Sequence, residues 1–230
     1  MFAGHLGAAI IMKKADPEVN LGLLFFATLL LDFLLGFFVT IGLEQVHIAP
    51  VYRGIEDQTY AFPYSHSLAA SLLWSGLAFL VTLWLFRRSR LRLLAGLTVA
   101  ATVFSHWVLD MLVHVPEMPL FGTGSPKFGL GLYAQPVLEV GLEVVLVLIG
   151  LAVYLRTATG VPRARQYVLV GLMLLMAFLT AAGTLSGAPA DPSQTAMTWL
   201  IEAPVIAAIA FWIDRPATKP QQQTARAGAA

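Results

Sequence analysis

His106 and Asp110 stand four residues apart in the run Ser105-His106-Trp107-Val108-Leu109-Asp110. On a helix they share one face, about 6 Å apart along the axis, so an imidazole and a carboxylate can reach one cation. His114 continues that face but lies about 12 Å from His106 by the same rise. It is therefore read as a group that supports the ligands or faces substrate. A second pattern, Pro63-Tyr64-Ser65-His66-Ser67, places a histidine between two hydroxyls at an expected helix start. Imidazole together with carboxylate suits zinc, iron or manganese. A catalytic zinc centre takes about three protein ligands and a water. His66, His106 and Asp110 would supply the three, and Asp32 or His5 a fourth, or a ligand to a second ion.

These groups are embedded in apolar sequence. Of 230 residues 58% are hydrophobic and 12% charged. A soluble domain carries about 25% charged residues, so half that leaves too little polar surface to coat a globule in water. The net charge of +1 gives no reason to expect nucleic-acid binding. Without cysteine the chain has no disulfide, thiolate ligand or cysteine nucleophile. No cleavable signal peptide is expected, because no basic residue precedes the first apolar stretch and Lys13 and Lys14 follow it.

Several runs reach the roughly 20 apolar residues that cross a hydrocarbon core. Full spans are expected over 20–43, 63–86, 91–114, 132–155, 166–185 and 197–213. Residues 2–14 form a half-span or tilted interfacial helix. Pro63 is expected at the first helical position of its span. The fold class is thus all-α, a polytopic transmembrane bundle of about six full spans plus the short N-terminal segment. Residues 1–214 form one domain, followed by a polar, Gln-rich and disordered tail over 215–230.

Basic residues orient this scheme in the membrane. Arg87, Arg88, Arg90 and Arg92 cluster in one loop, and Arg156, Arg163 and Arg165 in another. Lys13 and Lys14 occupy a third, and Arg215, Lys219 and Arg226 the tail. Such regions stay cytoplasmic. Residues 44–62, 115–131 and 186–196 then fall outside. All the intramembrane titratable groups but the central Asp32 lie in the outer half, including Glu139, Glu143 and Glu202.

Ionisable residues within spans cost a few kcal/mol and mark functional sites. Each also has a plainer role. A His–Asp pair at helical spacing can be a hydrogen bond that glues helices together. His66 can be a helix-start residue at the interface, His5 a solvated or capping residue near a terminus, and His47 a solvated loop residue. Glu139 and Glu202 can reach the outer head groups. Asp32 has no such escape: its side chain is too short to reach water from mid-span, so it needs a partner or a proton. Asp32 lies about 16 Å from its outer helix end and His66 about 5 Å from its own. Convergence therefore requires tilt or a broken helix. Gly122, Gly124, Gly129 and Gly131 around Pro126 and Lys127 read as flexible turns, or as a lid that brings Lys127 to an anionic head group. No Gly-rich phosphate loop, G-x-S-x-G elbow or H-E-x-x-H is present.

The order of these segments resembles a known group. Met1-Phe2-Ala3-Gly4-His5, Leu29-Leu30-Leu31-Asp32, Pro63-Tyr64-Ser65-His66-Ser67-Leu68 and the Ser105–His114 helix are followed by Lys127-Phe128-Gly129-Leu130-Gly131-Leu132-Tyr133 and the Glu143 helix. This looks like small bacterial multi-pass proteins of unestablished activity, often labelled hypothetical proteins or permeases. It is more distantly similar to the membrane-bound metal-dependent hydrolases. Their order of an early His, an Asp, a His-Ser pair and a Ser-His-x-x-x-Asp helix is itself similar to that of zinc-dependent phospholipase C. The resemblance covers roughly residues 1–150 and implies metal roles for His5, Asp32, His66, His106 and Asp110. The hydrolases tend to carry a Pro-Asp-x-Asp cluster where this chain has Leu31-Asp32-Phe33, and His-Arg where it has Phe62-Pro63-Tyr64. That difference implies one ion rather than two.

Two functional expectations follow. The first is a metal-dependent hydrolase with zinc as its divalent metal, acting on a membrane lipid or lipid-linked phosphoester at the outer leaflet. Asp32 or Glu143 would take a proton from water, and His114 would protonate the leaving group. The second is an ion-coupled transporter, in which the same groups would line a water-filled path. A non-enzymatic scaffold is a third.

Overall fold

The computed structural model describes residues 1–158, 160–186 and 191–216. Eight α-helices dominate these residues: α1 (Ala3–Met12), α2 (Leu21–Thr28), α3 (Leu30–Thr40), α4 (Leu68–Leu85), α5 (Arg92–Val113), α6 (Pro136–Thr157), α7 (Arg163–Leu185) and α8 (Pro192–Ile213). Their starts carry legible caps. Asn20 accepts from Gly22 N at 2.8 Å, Ser67 from Ala70 N at 3.0 Å, and Asp191 from Ser193 N and Gln194 N. Pro136 and Pro192 open α6 and α8, where their missing N–H goes unneeded.

Helices α4 to α8 are each long and apolar enough to cross a membrane, and α2 with α3 forms a sixth candidate bent by 48°. The expected all-α multi-pass bundle of about six spans is therefore what forms. Exposed leucines and valines cover the outer faces of α4 and α7, as hydrocarbon-facing surfaces should. The tail expected over 215–230 lies, beyond residue 216, outside the described residues.

Four local features depart from the sequence expectation, and each bears on the site. First, α1, expected as a half-span or interfacial helix, lies inside the bundle. Ala3, Gly4, His5, Leu6, Ala9 and Ile10 are all buried, and the helix packs against α6. Glycines make this contact close: a Cβ on Gly7 would stand 2.6 Å from the Leu146 carbonyl carbon, and one on Gly150 2.7 Å from the Gly7 carbonyl oxygen. Second, the span over 20–43 breaks at Leu29, whose ψ of 4° departs from the helix. Third, Pro63 does not open α4. Residues 63–67 run non-helically into the interior, and α4 starts only after the Ser67 cap. Fourth, the polar segment 44–62 folds into a hairpin of β1 (Gln45–Ile48) and β2 (Gln58–Ala61), joined through a 3-10 turn at Ile55–Asp57. A smaller hairpin pairs β3 (Met118–Pro119) with β4 (Lys127–Phe128) at the same end of the bundle.

The opposite end is tied shut. Asp214 takes the Lys13 ammonium at 2.7 Å, the Leu21 N–H at 2.8 Å and the Tyr154 hydroxyl at 3.4 Å. Between that tie and the hairpins lies an apolar core that includes Leu6, Ile10, Leu24, Phe25, Val147 and Leu151.

Candidate metal centre

The elements above bring His5, Asp32, His66, His106 and Asp110 to one place. Alpha-helix α5 supplies His106 and Asp110, whose Nε2 and Oδ2 stand 3.0 Å apart. The inward run before α4 carries His66, with its Nε2 3.1 Å from His106 Nε2 and 3.5 Å from Asp110 Oδ2. The first turn of α3 carries Asp32, with Oδ1 3.6 Å from both imidazole nitrogens. His66, His106 and Asp110 are nearly inaccessible, and the Asp32 side chain is 14% exposed toward the cavity described below.

The depth gap expected between Asp32 and His66 is closed by the second and third departures. Because Leu29 leaves the helix, the Thr28 carbonyl accepts the His106 Nδ1–H at 2.6 Å. Because residues 63–67 turn inward, His66 starts inside the bundle. Its backbone carbonyl is held by the Trp107 indole N–H at 3.0 Å.

Hydrogen bonding around the imidazoles assigns their tautomers. His106 gives its Nδ1–H to Thr28, so in the neutral ring Nε2 carries the lone pair. His66 Nδ1 lies 2.7 Å from Ser65 Oγ, and that hydroxyl donates its hydrogen to Glu44 Oε2 at 2.7 Å. Ser65 Oγ can then only accept from His66, which leaves His66 Nε2 a lone pair as well. Glu44 is fixed in turn by the N–H groups of Tyr64 and Ser65 on its other oxygen. Burial raises the Glu44 carboxyl above its ordinary value, and these donors counter the shift. With both rings neutral, two imidazole lone pairs face each other at 3.1 Å beside two carboxylates. A proton on one Nε2 or a metal ion among the four groups relieves the repulsion of such a set.

The spacing suits an ion. Donors about 2.0 Å from the centre of a tetrahedron lie about 3.3 Å from one another. The five separations among His66, His106, Asp32 and Asp110 given above run from 3.0 to 3.6 Å. Within this set Asp32, His66 and His106 form a group that could hold a metal ion.

His5 completes a second, overlapping group with His106 and Asp110. It is not solvated: no part of it is exposed, and its ring stacks on His106 with centroids 3.8 Å apart. Its Nε2 meets Asp110 Oδ1 at 3.0 Å, on the oxygen turned away from His66. His106 has a single free lone pair, so it can serve one ion. That places His5 behind Asp110, holding the carboxylate from the other side.

The remaining predicted residues take more particular positions. His114 follows α5, and its Nδ1 pairs with Glu117 Oε1 at 2.6 Å while Nε2 lies 3.9 Å from Asp110. Glu117 also accepts from Tyr60 N at 2.7 Å, which ties β2 to this histidine. Glu143 is not a free base. Its oxygens accept from Phe2 N at 3.1 and 3.2 Å and from Gly4 N at 2.9 Å, so it anchors the start of α1. Glu139 does not reach a head-group region; it is 0% exposed. Glu202 is half-buried and faces the cavity rather than the surface. Lys127 is exposed on β4 and is not part of the cavity wall, so the expected Lys127 lid does not form. Tyr52, Ile55 and Gln58 of the 44–62 segment cover the cavity instead. His47 is exposed, as expected for a loop residue.

Sequence reasoning missed Glu44, Ser65 as a relay, and Glu117. Only Glu117 left a signal: it stands three residues after His114, beyond a helix end. Comparison with protein-family models, curated proteins and solved structures finds no match for this chain.

Proposed function

We propose that this chain is a membrane-embedded, metal-dependent hydrolase that cleaves a lipid or lipid-linked phosphoester from the extracytoplasmic side of a bacterial inner membrane. One observation carries the reading: Nε2 of His66 and Nε2 of His106 face each other at 3.1 Å beside Asp32 and Asp110, with both Nδ1 atoms committed elsewhere. Two neutral imidazoles held in this way are ligands rather than a hydrogen-bonded pair.

His66, His106 and Asp110 hold a divalent ion, zinc in the first instance, and His5 orients Asp110. When bound, such an ion lowers the pKa of a water and polarises a phosphoryl oxygen. The rest is work for side chains. Asp32, the most open of the four donors, takes the proton from the attacking water as its oxygen bonds to phosphorus. His114, oriented by Glu117 through Nδ1, gives a proton from Nε2 to the oxygen that leaves as the old ester bond breaks. Glu143 does not enter the chemistry; it fixes α1 and hence His5.

The arginine clusters at the ends of α4 to α7 support the orientation, because they collect at the end opposite the site. Lipid access is supported by Leu179, which lines the cavity yet is 52% exposed on the apolar face of α7. The site sits over an apolar core sealed at the far end by Lys13 and Asp214, which supports a pocket open to one side over a transport path.

The test is metal content. Protein purified in mild detergent from zinc-replete cells should carry about one transition-metal ion per chain by mass spectrometry. Absence of bound metal, with no change on His106→Ala, would remove the proposal.

A further inference from the structure

The cavity is larger than an ion and its water require. It encloses about 490 Å³ and runs from the imidazole cluster toward α6, α7 and α8. Its wall carries the carboxylates of Asp32, Asp110, Glu139, Glu143 and Glu202. No lysine or arginine side chain among the described residues joins them. The Met1 amino group, 3.8 Å from Asp110, adds one positive charge whose field also reaches Glu143 and Glu139.

Most of these carboxylates have partners. Asp32 and Asp110 face the imidazoles, and Glu143 is satisfied by backbone amides. Glu139 is different. It is wholly buried, it lines the cavity, and neither of its oxygens has a donor in hydrogen-bonding geometry, although Glu143 and Thr184 stand beside it. A buried carboxylate without donors is unstable as an anion unless a counter-charge meets it. Glu202 adds a second carboxylate from α8, and the rings of Tyr60, Tyr133 and Trp199 line the same space. Carboxylates with aromatic faces and no competing side-chain cation are the surroundings that suit an ammonium group.

We propose that this acidic half of the cavity, centred on Glu139, binds an ammonium group of the substrate. Taken with the hydrolase reading, on which its phosphoester end rests, the substrate is a zwitterionic head group. Its phosphate lies at the His66–His106 cluster and its amine at Glu139. A net anionic head group is disfavoured, since it would leave Glu139 and Glu202 uncompensated. The same ammonium chemistry could belong to a membrane lipid or to a soluble phosphodiester.

Native mass spectrometry of the zinc-replete, detergent-solubilised protein separates these cases. Three probes are titrated: dioctanoyl-phosphatidylethanolamine, dioctanoyl-phosphatidylglycerol and glycerophosphoethanolamine, with cleaved and intact adducts both counted as bound. The ethanolamine lipid should bind at least about tenfold more tightly than the glycerol lipid, as one charged hydrogen bond would give. Glu139→Gln should abolish that preference, and Glu202→Gln should reduce it and serves as the deciding variant if the first does not fold. His106→Ala should lose metal and keep the preference. Equal or tighter binding of the glycerol lipid, binding of neither lipid, or full preference retained in the folded glutamine variants would overturn the subsite. A carboxyl that merely holds a proton gives that last result. Glycerophosphoethanolamine binding as tightly as the lipid would assign the ammonium to a soluble substrate and support the subsite. Wild-type protein without metal but with the preference would sink the hydrolase reading and leave this one standing.

Discussion

His66 Nε2 and His106 Nε2 stand 3.1 Å apart, each on a ring whose other nitrogen is already in a hydrogen bond. His106 spends its proton on the Thr28 carbonyl and His66 on the Ser65 hydroxyl. The pair is therefore a device for a third body, and its tuning lies in the groups behind it.

Disturbing that background should weaken metal binding without touching a ligand. In Glu44→Gln an amide can donate to Ser65, which frees the hydroxyl to donate to His66 Nδ1 and moves the imidazole hydrogen to Nε2. Metal affinity should fall about 10- to 100-fold, the usual loss on removing such a partner. Ser65→Ala should act in the same direction. Competition against a fluorescent zinc chelator measures both, and unchanged affinity in folded Glu44→Gln would refute the relay.

Removing the ion should cost stability. A ligand at about a thousand times its Kd stabilises the folded state by about 4 kcal/mol. Thermal unfolding in detergent should shift down by several degrees on chelation in the wild type, in keeping with that magnitude. The same treatment should leave His106→Ala unmoved. An identical shift in the variant would mean that the chelator acts elsewhere.

Asp32 and Glu143 should separate in kinetics. Loss of a general base lowers turnover by roughly 10²- to 10⁴-fold. Asp32→Asn should show that loss against a chromogenic phosphodiester and should alter the acidic limb of the pH profile. Glu143→Gln loses part of the clamp on Phe2 N and Gly4 N, at about 1–3 kcal/mol of stability. Its activity, per folded molecule, should keep the wild-type pH profile. The reverse ranking would return the base role to Glu143.

The α1–α6 contact should be unforgiving. Gly7→Val places a branched side chain against the Leu146 backbone, where even a Cβ would stand at 2.6 Å. Overpacking of this kind costs about 1–3 kcal/mol. Because α1 carries His5, metal affinity should fall together with the unfolding temperature. A surface glycine with open space, such as Gly171, should accept alanine with neither change.

Glu117→Gln should leave metal content intact while slowing turnover about tenfold or more, since it orients His114 and touches none of the ion-facing atoms. Metal loss in this variant would place His114 among the ligands.

The sequence by itself determined the helical, multi-pass character of this protein and the identities of the groups in its centre. Both are local properties: hydropathy over about 20 residues decides what can lie in a bilayer, and an ionisable residue in such a run stands out. The i, i+4 spacing of His106 and Asp110 also belongs here, because helical geometry alone brings them together. Tertiary structure decided the rest. No glycine or proline marks the break at Leu29; the Thr28 carbonyl is drawn to His106 from another helix. Pro63 suggested a helix start, but Glu44 holds Tyr64 and Ser65 in an inward turn from twenty residues away. The same carboxylate chemistry gives Glu143 to a backbone and leaves Glu139 facing the cavity with no donor in hydrogen-bonding geometry. Which donor a buried carboxylate meets depends on contacts across more than a hundred residues of chain, and no local pattern carries that.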